Sequence, residues 1–298
     1  MTTADVTRDS PSAPFHNRTR TSQSIPRRLL RQGRAHLLPV YALMRTSDLG
    51  REGIDHSGSY RFADHIYRNV PSGRFGIGRL LDAALLRLRG ARSMRNRFFH
   101  VQREIVAARR RAATRDDFRV LAVPCGIARD LVHAARTLVR EEPRLAQRTT
   151  YFGVDLDAEP LELSRRLASG LANFHFARGD ALDPGAYPPS LDLISSTGLG
   201  EFLGDAELAR FYAVCCGALR DGGVFVTSGM QRDAVADYLA RELAELHTHY
   251  RGPAELTRLL TEAGFASVTA VPDEFGLQTL VVARVAPDAP DARDTGWR

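Results

Sequence analysis

From Phe118 onward, short β-branched apolar runs alternate with amphipathic stretches. Arg119 to Val123, Thr150 to Val154, Asn173 to Ala177, Leu191 to Ser195 and Gly223 to Thr227 read as strands. Between and after them, Arg129 to Arg140, Glu159 to Ser169, Ala206 to Leu219, Arg232 to Leu246 and Ala254 to Ala263 read as helices. The last two runs, Ser267 to Val271 and Thr279 to Val285, are joined through Pro272, Asp273 and Gly276. That link is too short for a crossover helix, so the pair is expected to form an antiparallel hairpin. The pattern predicts an α/β fold, a doubly wound, mostly parallel seven-stranded sheet with a reversed final strand.

Upstream the period changes to that of helices. Gly78 to Leu88 places Leu80, Leu81, Ala84, Leu85 and Leu88 on one predicted apolar face. The next helix puts Met94, Phe98, Val101, Ile105 and Ala108 on one stripe, with Phe99 also assigned to the core. Before about Arg34 there is almost nothing to bury, only Thr, Ser, Pro and Arg. The expected organisation is a loose Arg-rich tail (1–34), a helical cap (35–117), a ligand-binding sheet domain (118–285) and a loose end (286–298). Arg27-Arg28 suggests an export signal, but Ala35 to Met44, broken by His36 and Pro39, makes a poor apolar core for one.

Composition narrows the chemistry. The chain has 298 residues and a formal net charge of +6, and all 41 of its basic residues are Arg. Without Lys there is no phosphate-cradling P-loop, no kinase strand lysine and no Schiff base. The three cysteines, Cys125, Cys215 and Cys216, have neither disulfide-framework nor zinc spacing, so no metal and a cytoplasmic setting are expected. No run is apolar enough to span a bilayer. Ten Arg lie from Arg87 to Arg115 against one acid, Glu104. A solvated helix face is expected there, with an RNA surface as the alternative.

In such sheets ligands sit beyond the carboxyl ends of the strands, near the switch in strand order. The loop after the first strand reads Val123-Pro124-Cys125-Gly126-Ile127-Ala128-Arg129-Asp130. The second strand ends in Asp155-Leu156-Asp157, with Asp155 expected to take ribose hydroxyls and Asp157 to cap the next helix. The third strand runs into Gly179-Asp180-Ala181, where Asp180 could meet an adenine amino group or simply make a turn. Asp130 in the first helical turn would repel a pyrophosphate, so a phosphate-free donor such as S-adenosylmethionine fits better than a dinucleotide.

Taken in order, these segments, together with Leu191 to Leu203 and Leu219-Arg220-Asp221-Gly222-Gly223-Val224, resemble the motifs of class I S-adenosylmethionine-dependent methyltransferases. The likeness runs from Phe118 to Val285. Gly53 to Arg97 is similar to a bacterial methyltransferase subgroup of unassigned substrate. The resemblance implies a Rossmann-like fold with S-adenosylmethionine as cofactor. It also implies donor contacts from Pro124, Cys125, Gly126, Asp155, Leu156, Asp180, Ala181 and Thr197. Two positions depart from the family pattern: Ala122 stands where an acid is common, and Pro124 replaces the usual first glycine. Acceptor-side candidates by position are Tyr67, Glu201, His249 and Tyr250, with His65 in the cap, and no catalytic base is singled out. The expected activity is methyl transfer to a small molecule, anionic or lipid-like. The alternatives are an RNA methyltransferase and a catalytically inactive binding module.

Overall fold

The computed structural model describes residues 24–287 apart from residue 57. Six helices come first: α1 (Ile25–Arg31), α2 (Leu38–Met44), α3 (Asp48–Asp55), α4 (Tyr60–Arg68), α5 (Ile77–Arg87) and α6 (Arg89–Arg111). The sheet unit follows as β1 (Phe118–Ala122), α7 (Arg129–Glu141), α8 (Pro143–Gln147), β2 (Thr149–Asp155), α9 (Ala158–Leu167), β3 (Phe174–Arg178) and β4 (Leu191–Ser196). It is completed by α10 (Asp205–Ala218), β5 (Leu219–Met230), α11 (Ala234–Ala244), α12 (Pro253–Glu262), β6 (Ser267–Pro272) and β7 (Gln278–Arg284).

The seven strands form one sheet in the order β3-β2-β1-β4-β5-β7-β6. β1 to β5 pair in parallel, and β7 runs antiparallel between β5 and β6. This is the doubly wound sheet with a reversed final strand expected from the pattern. β1 and β4 lie at its centre and are covered on both faces, which accounts for the burial of nearly every residue in them, Asp192, Ser195 and Ser196 of β4 included. One face packs on α6 and α7 through Val101, Ile105, Leu131 and Leu138. The other packs on α10 and α12 through Leu208, Phe211, Tyr212 and Leu260. The stripe predicted for α6 holds: Phe98, Val101, Ile105 and Ala108 are buried, and α6 joins the cap to the sheet.

Four expectations need correction. The ordered chain begins inside the expected tail: Ile25 and Leu29 of α1 are buried against Leu37, Ile54 and Leu243, and Arg28 pairs with Glu245. Two apolar residues four apart dock this seven-residue helix, and residues 1–23 of the expected tail lie outside the described residues. In α5 the buried positions are Gly78, Asp82 and Leu86, whereas Leu80 and Leu88 point to solvent. Phe99 is half exposed rather than in the core. Arg109, expected on a solvated face, is fully buried. Its guanidinium donates to Thr149 Oγ1 (3.1 Å) and to the carbonyls of Leu145, Ala112 and Arg115, and it lies over the Phe118 ring. No described helix is long and apolar enough to cross a membrane.

Candidate active site

The loop after β1 is held from below by β2. Cys125 N–H donates to the Val154 carbonyl (2.8 Å), and Gly126 N–H donates to Asp155 Oδ2 (2.8 Å). The other carboxylate oxygen, Asp155 Oδ1, accepts from Asp157 N–H (3.1 Å). Gly126 takes φ +49°, a left-handed conformation that glycine adopts without a Cβ penalty. Ser164 of α9 ties down the far side of the loop: its hydroxyl accepts from Ala128 N–H (3.0 Å) and lies 3.1 Å from the Gly126 carbonyl. The Val123–Pro124 peptide is cis.

The loop is electrically negative. Burial, with Asp155 and Asp130 nearby, pushes the Cys125 thiol well up. Burial likewise raises the Asp130 carboxyl to about 6, against the N–H groups of Leu131 and Asp130 itself. The loop therefore offers carboxylates to a ligand, and the adjacent Arg129 is taken by Asp64 (2.7 Å).

That pair belongs to a second feature, which lies above the loop. Helix α4 is capped by Ser59, whose hydroxyl accepts from Phe62 N–H (3.1 Å), and it passes over Gly126 so closely that a Cβ there would stand 3.2 Å from Tyr60 Cβ. Arg61 pairs with Glu159 at the start of α9, and Asp64 with Arg129 at the start of α7. Tyr60, Arg61 and Asp64 were not singled out in the sequence, because nothing in local spacing says which helix lies over a loop more than 60 residues away.

On the β4 side, Arg97 and Glu201 form a buried ion pair (2.8 Å), and Arg97 Nε donates to the Tyr67 hydroxyl (3.1 Å). The Tyr67 ring stacks on Phe98 with centroids 4.5 Å apart. Burial opposes the charge on Arg97, but Tyr67 and Glu201 outweigh it and hold its pKa above the ordinary value. Burial pushes Glu201 up, with Arg97 and Gln278 opposing. Arg97 was missed as a site residue because an arginine in an Arg-rich helix carries no mark of burial. Its guanidinium lies 3.3 Å from where a Cβ on Gly198 would stand, one residue past Thr197.

The remaining sequence candidates divide. Pro124, Cys125, Gly126, Asp155 and Leu156 come together at the carboxyl ends of β1 and β2, and Thr197 follows β4. Asp155 is buried and braces the loop through Gly126 N–H. Asp157 occupies the N-cap position of α9 without making the expected cap bond. Asp180 is exposed and accepts from Leu182 N–H (2.9 Å), a local turn, with Ala181 buried beside it. Glu201 and His249 line one small cavity together with Ser228, and His249 N–H donates to the Glu201 carbonyl (2.8 Å). Tyr250 is turned away from this group: its hydroxyl donates to Asp237 on α11 (2.9 Å). His65 is likewise committed, its Nε2 lying 2.7 Å from Asp82 Oδ2. Among the described residues no group of His, Cys, Asp or Glu is arranged to hold a metal.

YnbC of Escherichia coli K12, described as uncharacterized, is 27% identical over 233 residues, 74% of this chain. The chain spans only 39% of the length of that relative. A crystal structure described as a possible exported protein from Bordetella parapertussis superposes with a TM-score of 0.73 at 23% identity, covering 88% of this chain and 93% of that one. Magnesium protoporphyrin IX methyltransferase from Synechocystis PCC 6803, solved with S-adenosylhomocysteine, gives 0.51 at 12% identity over 80% of this chain and all of its own (100%). At these identities the structures establish the class I, Rossmann-like fold. A family described as "Putative methyltransferase" matches residues 10–285, nearly the whole chain, and the protein belongs to this methyltransferase family.

Proposed function

We propose that the protein transfers a methyl group from S-adenosylmethionine to a small-molecule acceptor, anionic or lipid-like in character. The observation that carries the donor is the acidic setting of the Cys125–Gly126 loop, between the buried Asp155 and the half-buried Asp130. A sulfonium and an amine are cations and suit that field, whereas a pyrophosphate would be repelled. Asp155, which accepts from Gly126 N–H and Asp157 N–H at the carboxyl end of β2, is the acceptor proposed for the ribose hydroxyls. Leu156 and Ala181 provide apolar surface beside it, with Asp180 and Thr197 at the neighbouring strand ends.

When bound, S-adenosylmethionine supplies a methyl group on an already activated leaving sulfur. The chain's part is then alignment and exclusion of water. Helix α4 closes over the loop through Arg61–Glu159 and Asp64–Arg129. On the acceptor side Arg97 fixes Tyr67 and Glu201, and the raised Glu201 carboxyl is the group best placed to take a proton where the acceptor must lose one. The RNA alternative loses much of its surface: Arg97 and Arg109 are buried, while Arg110 pairs with Glu141 and Glu142 and Arg111 with Glu104. Three free cysteines support a cytoplasmic setting as part of the same proposal.

Calorimetric titration with S-adenosylhomocysteine tests the donor site. Asp155→Ala should weaken binding at least about tenfold, since charge-assisted bonds contribute about 1.5–3 kcal/mol each. Unchanged affinity in a folded Asp155→Ala protein would sink the donor reading. Transfer of labelled methyl into a metabolite extract, with none into RNA, is the expected result for the acceptor class.

A further inference from the structure

Helix α5 turns its apolar side to water. Ile77, Leu80, Ala84 and Leu88 follow one another at helical spacing, and Ile77, Leu80 and Leu88 are 54%, 74% and 58% exposed. Just before the helix stands Phe75, 87% exposed, with φ +55°. A bulky residue in the left-handed region is strained, and here that conformation sets an aromatic ring out in solvent, with no ring partner among the described residues.

The turn carrying Phe75 is firmly anchored. Arg74 N–H donates to the Thr46 carbonyl (2.9 Å), Ser47 and Gly73 form a bridge, and a Cβ on Gly78 would fall 2.1 Å from Thr46 O. The buried side of α5 is fixed by Asp82, whose carboxylate binds Ser47, Leu49, His65 and Ser72. Phe75 is thus presented outward by a rigid mount.

Charge selects what would cover this face. Between Asn69 and Arg92 there are five Arg and a single acid, and that acid is the buried Asp82. Arg74, Arg79 and Arg87 are exposed around the apolar stripe, and none of them pairs with a carboxylate among the described residues. A protruding aromatic, an apolar helix stripe and a rim of unpaired guanidiniums match the acyl boundary and phosphate layer of an anionic bilayer.

We propose that the α5 face, with Phe75 as its leading residue, docks the protein on an anionic lipid surface. Docking of this kind is peripheral, with the helix lying in the interface plane, and it does not depend on the donor-site reading. The test is sedimentation of the full-length protein with vesicles of phosphatidylglycerol mixed equally with phosphatidylcholine, against phosphatidylcholine alone. The wild type should partition to the mixed vesicles at least about tenfold better, with the preference shrinking as salt is raised. A Phe75→Ser/Leu80→Ser variant and an Arg74→Gln/Arg79→Gln/Arg87→Gln variant should each lose that partitioning while keeping wild-type melting and S-adenosylhomocysteine affinity. Wild type left in the supernatant, or full vesicle binding by the serine variant, would overturn the proposal. A concentration-dependent dimer abolished by the serine variant, without vesicle binding, would assign the face to a second copy and overturn it equally.

Discussion

In the sheet unit Asp155 accepts from two backbone N–H groups, those of Gly126 and Asp157. In the helical cap Asp82 accepts from the N–H groups of Leu49 and Ser72 and also from Ser47 and His65. Both carboxylates brace a loop from beneath, and both are buried. They differ in where they stand in the fold. Asp155 stands at the carboxyl end of β2, below the Cys125–Gly126 loop over which α4 passes. Asp82 faces the interior of the cap, and four donors use its oxygens. Two buried carboxylates therefore brace different parts, one the loop proposed to hold the donor and the other the packing of the cap, and their place in the fold decides which.

The largest expected effect is at Asp82. Asp82→Ala leaves two backbone N–H groups, a serine and a histidine without their acceptor, and should cost about 3 kcal/mol or more of stability in denaturant melts. Burial alone would raise the Asp82 pKa, but Ser47, Leu49, His65 and Ser72 outweigh it and hold it below the ordinary value. Its contribution is therefore present above the unfolded carboxylate's pKa and is lost as pH falls through the folded one. A cap that melts normally after Asp82→Ala would break the contrast with Asp155, whose replacement should show first in donor affinity.

A smaller effect separates arginines that the sequence makes look alike. Arg109→Gln removes hydrogen bonds to Thr149 and three carbonyls from a buried position, and should cost about 2 kcal/mol. Arg110→Gln and Arg111→Gln break only exposed pairs, and the melting midpoint should stay at the wild-type value. If all three behaved alike, the placement of Arg109 under the cap–sheet junction would be wrong.

An effect read from pH dependence, with no substitution needed to see it, sharpens the picture of the Cys125–Gly126 loop. The Asp130 carboxyl is raised by burial to about 6, so the folded protein holds a proton that the unfolded chain has released. Its contribution to stability is complete below the ordinary carboxylate range and declines as pH rises through about 6. Melts followed from pH 4 to 7 should show this decline, and Asp130→Asn should flatten it. An unaltered profile in the Asn variant would remove Asp130 from the acidic lining of the loop.

Much of this was legible in the chain itself. Strand order in sequence, the antiparallel final pair, the loop at Cys125–Gly126 and the stripe of α6 all follow from local period and turn chemistry, which act over a few residues. The cap was legible as helices but not as a packed object. Period shows which side chains share a face, and says nothing of whether that face meets protein or water. Leu80 and Leu88 therefore looked like core and are exposed, while Gly78, Asp82 and Leu86 are the residues buried. Likewise Arg97 and Arg109 read as surface charge, because the groups that make their burial tolerable come from elsewhere: Glu201 and Tyr67 for one, Thr149, Leu145 and the carbonyls at the end of its own helix for the other. Charge can be buried only where distant donors and acceptors converge, and convergence is a property of the tertiary structure. The sequence alone determined the class of fold and the place of the Cys125–Gly126 loop at the end of its first strand. The assembled chain decided that α4 lies over that loop, that Asp155 braces it, and that α5 turns Ile77, Leu80 and Leu88 outward.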